Sequence, residues 1–287
     1  MADTKFSAAT VATAPAAADL IGITQSSTDK SATFALWGGL EANAQTVTTT
    51  DVTGAVGQMY VCTIAGLTAN RNLTLPSAQV GERVGVYIVD GDATYELILK
   101  GATSQTINGG SAATEWSRLF IIGECVIFRC TAANTWIVES DGRIPCQADV
   151  YCSTNVTTNT AAAITIVDFS ANTTTGGDNA SLVDSTNDVI KIRRANTYHA
   201  TASAAPVSGL ADTKYYAVTI RYTSGSSQIC MAKAPTATAT SGVILVTSKT
   251  LPITVGNDLE WGFQSEETDR GLIAQDRASY FSVTEVL

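Results

Sequence analysis

Short apolar runs alternate with turn residues along most of the chain. Between about Thr46 and Gly142, the stretches 59–64, 72–75, 83–89, 95–100, 119–129 and 135–139 each have strand length and strand composition. Asp90-Gly91-Asp92, Asn108-Gly109-Gly110 and Asp141-Gly142 fall where turns are needed. Several short strands parted by such turns predict a β-sandwich-like domain over 46–142. The stretches 164–169, 189–192, 214–222, 228–232, 243–246, 258–264 and 280–286 repeat the pattern further on. The period of two in 216–222 puts Tyr216, Val218, Ile220 and Tyr222 on one face of a strand. A two-sheet jelly roll is the natural architecture for 153–287. The stretch 143–152, with Pro145 and no strong periodicity, reads as a linker. No internal repeat is visible.

Residues 1–45 have a different texture. Residues 8–18 are small and featureless, 19–24 form a short apolar run, and 25–30 are turn residues. A segment this poor in large apolar side chains does not bury enough surface to fold alone. It is expected to be an extended arm, with Leu20, Ile21, Phe34, Leu36 and Trp37 as its anchors. Packing back on its own domain is the alternative.

Composition sharpens the picture. Of 287 residues only 15% are charged, against roughly 25% in an average soluble protein. The Thr, Ser, Ala, Asn and Gly that replace them suit strands and turns better than helix interiors. Together these make the chain all-β. Seventeen basic and 26 acidic residues leave a net charge of −9, which argues against a broad nucleic-acid surface. No apolar run approaches the ~20 residues of a membrane-spanning helix, so no membrane insertion is expected. The N-terminus lacks the basic-then-apolar order of a secretory signal.

Candidate chemistry is thin. The single histidine, His199, excludes any site that needs two within one chain. The acidic residues show no spacing that pairs two for glycoside hydrolysis, and no Gly-Lys-Ser/Thr phosphate loop occurs. The chain is therefore expected to have no catalytic residues, no cofactor and no metal. Asp90 and Asp92 could offer oxygens to calcium, but an acidic pair around a glycine is ordinary turn chemistry. The six cysteines read as buried thiols; whether Cys146 and Cys152 bridge is left open. Cys125 and Cys130, five apart on one strand, should face opposite ways. Lys191, Arg193 and Arg194 form one basic cluster, and Trp37, Trp116, Trp136 and Trp261 are too scattered for a sugar-stacking row.

Two resemblances add to this reading. Leu73-Thr74-Leu75-Pro76, Gly81-Glu82-Arg83-Val84-Gly85-Val86, Thr106-Ile107-Asn108-Gly109 and Asn134-Thr135-Trp136-Ile137-Val138 occur in that order. The middle region thereby resembles small β-domains of bacteriophage tail-fibre and head-fibre proteins. The last region is similar to the jelly rolls of tumour necrosis factor and the complement globular heads. Residues 212–222, 255–263 and 279–286 carry that similarity. Both groups are usually homotrimers.

The resemblances imply a non-enzymatic virion protein of a tailed bacteriophage, made in the host cytoplasm. The expected form is a homotrimeric short fibre with an arm (1–45), a β-sandwich-like spacer (46–142), a linker (143–152) and a jelly-roll head (153–287). The arm would bind other virion proteins, such as capsid, portal-tail or fibre-base components. The head would meet a host surface glycan or protein, with Ser265, Glu266, Glu267, Asp269 and Arg270 in an exposed loop. The alternative is a capsid decoration or cement protein that stabilises the head shell.

Overall fold

A computed structural model describes residues 40–46, 50–92, 94–152, 156–158, 164–167, 173–174, 181–205, 215–224, 227–235, 244–266, 270–272 and 279–287. These residues are strand, turn or irregular, with no helix among them, so the protein is all-β. The chain divides into two compact units, Met1–Arg143 and Ile144–Leu287. Leu20, Ile21, Phe34, Leu36 and Trp37 lie outside the described residues.

The first unit contains β1 (Glu41–Thr46), β2 (Val52–Thr53), β3 (Gln58–Thr63), β4 (Arg71–Leu75), β5 (Arg83–Ile88) and β6 (Leu97–Gly101). It continues with β7 (Thr106–Ile107), β8 (Glu115–Leu119), β9 (Cys125–Ala132) and β10 (Thr135–Gly142). Two sheets form, ordered β1-β3-β5-β9-β10-β7 and β2-β4-β6-β8. The first six strands alternate between the sheets, and those sharing a sheet run parallel. Parallel neighbours need a crossover, and here the crossover is the intervening strand of the opposite sheet. The unit is thus a short coil of three rungs, closed by antiparallel pairing of β8 on β6, β9 on β5 and β10 on β9.

This geometry corrects several sequence expectations. Asp90-Gly91-Asp92 does not close a hairpin; it joins β5 in one sheet to β6 in the other. Asp141-Gly142 is no turn, since both residues lie in β10 opposite Val126 and Cys125. The run 119–129 is two strands, broken where Gly123 takes a φ of 90°. Within the stretch 1–45 expected as an arm, Leu40 is only 2% exposed and residues from Glu41 on lie in strand β1 (Glu41–Thr46).

The interior between the sheets is built from Leu73, Leu75, Leu97 and Leu99 on one side and Val84, Val86, Val126 and Phe128 on the other, all fully buried. Burying each such side chain contributes about 1.5–3 kcal/mol. Trp136 is buried too, and its indole N–H donates to Pro76 O at 3.1 Å, so the ring enters the core with its one polar atom satisfied. On the other face of the first sheet, Gly85 leaves room for its neighbours. A Cβ there would stand 2.5 Å from Met59 Cε and 2.7 Å from Leu40 Cδ1.

The second unit has two antiparallel sheets. The first is ordered β14 (Thr173–Thr174), β11 (Gln147–Tyr151), β23 (Tyr280–Val286), β17 (Asn196–Ala204) and β20 (Leu245–Ile253). The second is ordered β15 (Val183–Asp184), β16 (Val189–Ile190), β21 (Leu259–Ser265), β18 (Tyr215–Tyr222) and β19 (Gln228–Pro235). β13 (Ile164–Ile166) also pairs with β21, and β12 (Val156–Thr158) pairs separately with β22 (Arg270–Leu272). Counting the eight principal strands β11, β13, β17, β18, β19, β20, β21 and β23 in chain order, the first sheet holds the first, eighth, third and sixth. The second holds the second, seventh, fourth and fifth. That order is a jelly roll.

Inside it, Ala200, Ala202 and Ala204 of β17 leave space for large rings. Trp261 and Phe281 meet at 6.4 Å, and Tyr216 stacks on Phe263 at 5.5 Å. As the alternation implies, Tyr216, Val218 and Ile220 are buried; so are Ala217 and Thr219 on the opposite face of β18. The stretch expected as a linker, 143–152, contains β11, which pairs with the last strand of the chain.

Candidate functional site

The outward face of the β14-β11-β23-β17-β20 sheet is the most distinctive surface among the described residues. Register sets two rows of side chains across it. Gln147, Thr284, His199 and Thr250 lie side by side on β11, β23, β17 and β20, and Asp149, Ser282, Thr201 and Ser248 form the next row. Strand alternation turns the residues between them, including Ala148, Ala200 and Val283, into the core, where all three are fully buried.

The rows carry one carboxylate, one imidazole, one amide and five hydroxyls. Hydroxyls and amides both donate and accept hydrogen bonds, so this face presents little net charge and matches itself. Two apolar side chains flank the rows: Val246, 51% exposed on β20, and Val286, 47% exposed on β23. β20 is the edge strand of this sheet and pairs with β17 alone within it.

His199 sits within the upper row. Its Nδ1 lies 2.8 Å from Thr250 Oγ1 and its Nε2 3.1 Å from Thr201 Oγ1. From the sequence, a lone histidine in 195–202 reads as a loop or interface residue rather than a base. β17 is instead paired on both sides over most of its length.

The other sequence candidates resolve into structural parts. Asp90 Oδ1 accepts Ile64 N–H at 2.6 Å and Ala65 N–H at 3.1 Å; Asp92 accepts Leu67, Thr94 and Tyr95 N–H through its two oxygens. Burial pushes the Asp92 carboxyl up, but the N–H groups of Tyr95, Thr94, Leu67 and Gly66 hold it below the usual range. These oxygens tie one rung's loop to the previous one, which accounts for both acids without calcium. Asp51 on Asn72, and Asn70 on Glu96 N–H, make the same kind of rung-to-rung tie. Among the described residues, no three of His, Cys, Asp and Glu gather into a group that could hold a metal ion.

The basic cluster is divided internally. Lys191 pairs with Asp184 at 2.8 Å, and Arg194 pairs with Glu285 at 2.9 Å with both side chains buried. Arg193 is 5% exposed. Hydrogen bonds from Lys191 and Asn187 lower the Asp184 carboxyl to about 2. The expectation of an exposed loop fails at Ser265, which is fully buried at the end of β21 opposite Tyr216. Glu266 is half-buried, and its N–H donates to Tyr215 O. Glu267 and Asp269 lie outside the described residues; Arg270 begins β22, opposite Thr158.

The three tryptophans among the described residues are likewise structural. Trp136 and Trp261 are buried, and the guanidinium of Arg143 covers Trp116 at 4.6 Å. Cys125 and Cys130 do face opposite ways, one half-exposed and one buried. All six cysteines are free. Cys146 and Cys152 lie at the two ends of β11, about 20 Å apart at strand rise, whereas a disulfide needs Cα atoms within ~7 Å.

No protein family matches the chain, and no curated protein matches it either. Solved structures do. Murine APRIL at pH 8.5 is matched over 50% of this chain and 100% of its own, with 6% identity and a TM-score of 0.38. An Eiger TNF from S. frugiperda is matched over 50% and 94%, with 10% identity and a TM-score of 0.37. The PRD1 vertex protein P5 is matched over 49% and 96%, with 15% identity and a TM-score of 0.37. The jelly roll is assigned on strand order alone.

Proposed function

We propose that this chain is a non-enzymatic structural protein of a tailed-bacteriophage particle, a homotrimeric short fibre with a jelly-roll head. The observation that carries this reading is the outward face of the β14-β11-β23-β17-β20 sheet. A chain with net charge −9 repels its own copies. That face has a single acid, Asp149, in its two central rows, so it is where copies approach most easily. Exposed Val246 and Val286 add apolar surface that association removes from water. Closed rotational symmetry satisfies such a face in every copy. The resemblance of the middle region to phage fibre domains supplies the setting.

In this reading the arm, with Leu20, Ile21, Phe34, Leu36 and Trp37, binds other virion proteins. The head is displayed for contact with a host surface glycan or protein. The β-sandwich-like domain over 46–142 is the spacer.

Deletion of residues 1–39 tests the assignment. Leu40 is kept because it packs beside Met59 and Gly85. The truncated protein should assemble as a folded trimer yet be missing from purified particles. Normal packaging of the truncated chain would overturn the attachment role. Particles lacking the whole protein should adsorb poorly while keeping shell stability; a weakened shell with normal adsorption would identify a cement protein instead.

A further inference from the structure

The surface through which copies are proposed to meet holds the only histidine of the chain. Histidine is the side chain whose ordinary titration falls between about pH 5 and 8. His199 is exposed, with Thr250 Oγ1 and Thr201 Oγ1 on its two ring nitrogens. In a neutral imidazole one nitrogen donates and the other accepts, so one of these threonines gives its hydroxyl proton to the ring.

Protonation changes that arrangement. Both nitrogens then donate, both threonines accept, and the freed hydroxyl proton turns away from the ring. On an open face, water accepts it and solvates the new charge. On a covered face both the hydroxyl and the imidazolium lose that water, and each costs free energy unless a new partner is found.

The surroundings offer no compensation. The side chains facing His199 are Ser248 and Thr250 from β20, Ser282 and Thr284 from β23, and Thr197 and Thr201 from β17 itself; none is charged. Asp149 is the one acid in these rows. It is two strands and one row away on β11, about 10 Å or more at strand spacing, and its Oδ2 already accepts Gln147 Nε2 at 3.0 Å. Glu285 and Lys249 alternate to the opposite side of the sheet, where Glu285 is held by Arg194. Every copy brings its own His199, so charges on a shared face add up with the same sign.

We propose that His199 makes the association of this chain with its own copies acid-sensitive: the neutral ring permits the covered face, and protonation drives the copies apart. The inference rests on the homotrimer reading and extends it with a trigger.

Sedimentation velocity on the full chain over a concentration series, at about pH 8 and about pH 5.5, tests it. The concentration for half-assembly should rise about tenfold or more at the lower pH. His199→Gln, which keeps a donor and an acceptor without titrating, should assemble equally at both. An unchanged or tighter wild-type assembly at low pH would overturn the proposal, as would an equal acid response in His199→Gln. Trimers at both pH values would leave the homotrimer standing while removing the trigger. Monomers at about pH 8 would remove both.

Discussion

Arg194 and Glu285 form an ion pair inside the second unit, Nη1 to Oε2 at 2.9 Å, with neither side chain exposed to solvent. Glu285 also accepts Cys146 N–H at 2.9 Å and Asn196 Nδ2 at 2.8 Å, while Arg194 donates to Ile144 O at 3.2 Å. Tyr198 donates its hydroxyl to Arg194 O at 2.7 Å. Burial, with Cys146 and Glu285 close by, pushes that phenol well above its usual range. The network ties the approach to β11, the start of β17 and the end of β23 into one buried cluster. It thereby fixes the three strands that carry most of the outward face.

Breaking one side of such a pair leaves a buried charge without its partner. Arg194→Met should destabilise the protein by about 3–5 kcal/mol, measured by urea unfolding. The double variant Arg194→Met, Glu285→Leu should lose less than the single one. Equal or greater loss in the double variant would show that the pair itself does not set the cost.

Gly85 is a second point of close fit. Gly85→Ala should cost about 1–3 kcal/mol, because its Cβ would collide with Met59 and Leu40. With Met59→Ala, which removes the nearest atoms, the double variant should lose less than the sum of the two single losses, also read in urea. Strictly additive losses would mean that Leu40 or the backbone carries the strain.

Acid should weaken the Asp184 turn. Its carboxyl is lowered to about 2 in the fold, against about 3.9 unfolded. A lowered carboxylate contributes stability that is complete above the unfolded value and is lost as pH falls through the folded one. Between about pH 4 and pH 2 the wild type should therefore lose more stability than Asp184→Asn, whose amide cannot titrate. Parallel curves for the two proteins would contradict the Lys191–Asp184 tie.

Thiol chemistry should separate the cysteines. Burial, reinforced by Asp90, pushes Cys62 up to about 12, so it should resist alkylation in the folded protein. Half-exposed Cys125 and Cys230 should react first. In denaturant without reductant all six should titrate; four would mean that two are bridged after all.

Much of the fold is legible in the chain, and the exceptions have physical causes. Strands such as β4, β5 and β23 announce themselves through alternating apolar residues, and the jelly roll follows from their number and spacing. The parallel coil does not announce itself, because its rungs have unequal lengths. Ala42 to Met59 is 17 residues, Met59 to Gly85 is 26, and Val52 to Leu73 is 21. With no constant period, stacked rungs look like unrelated strands. β17 is hidden by its alanines Ala200, Ala202 and Ala204, which suit a strand here because Trp261, Phe263 and Phe281 fill the space beyond them. Arg194 looks like part of a surface cluster, since its partner Glu285 lies 91 residues away.

The most direct test of the central claim is the solution mass of the purified full chain by light scattering, beside Thr284→Lys. That lysine would put a charge next to His199 in the middle of the outward face. The wild type should have about three times the 29.9 kDa of one chain, and Thr284→Lys should fall to the mass of one chain while keeping its fold. A monomeric wild type, or a Thr284→Lys protein that remains trimeric, would contradict assembly through this face.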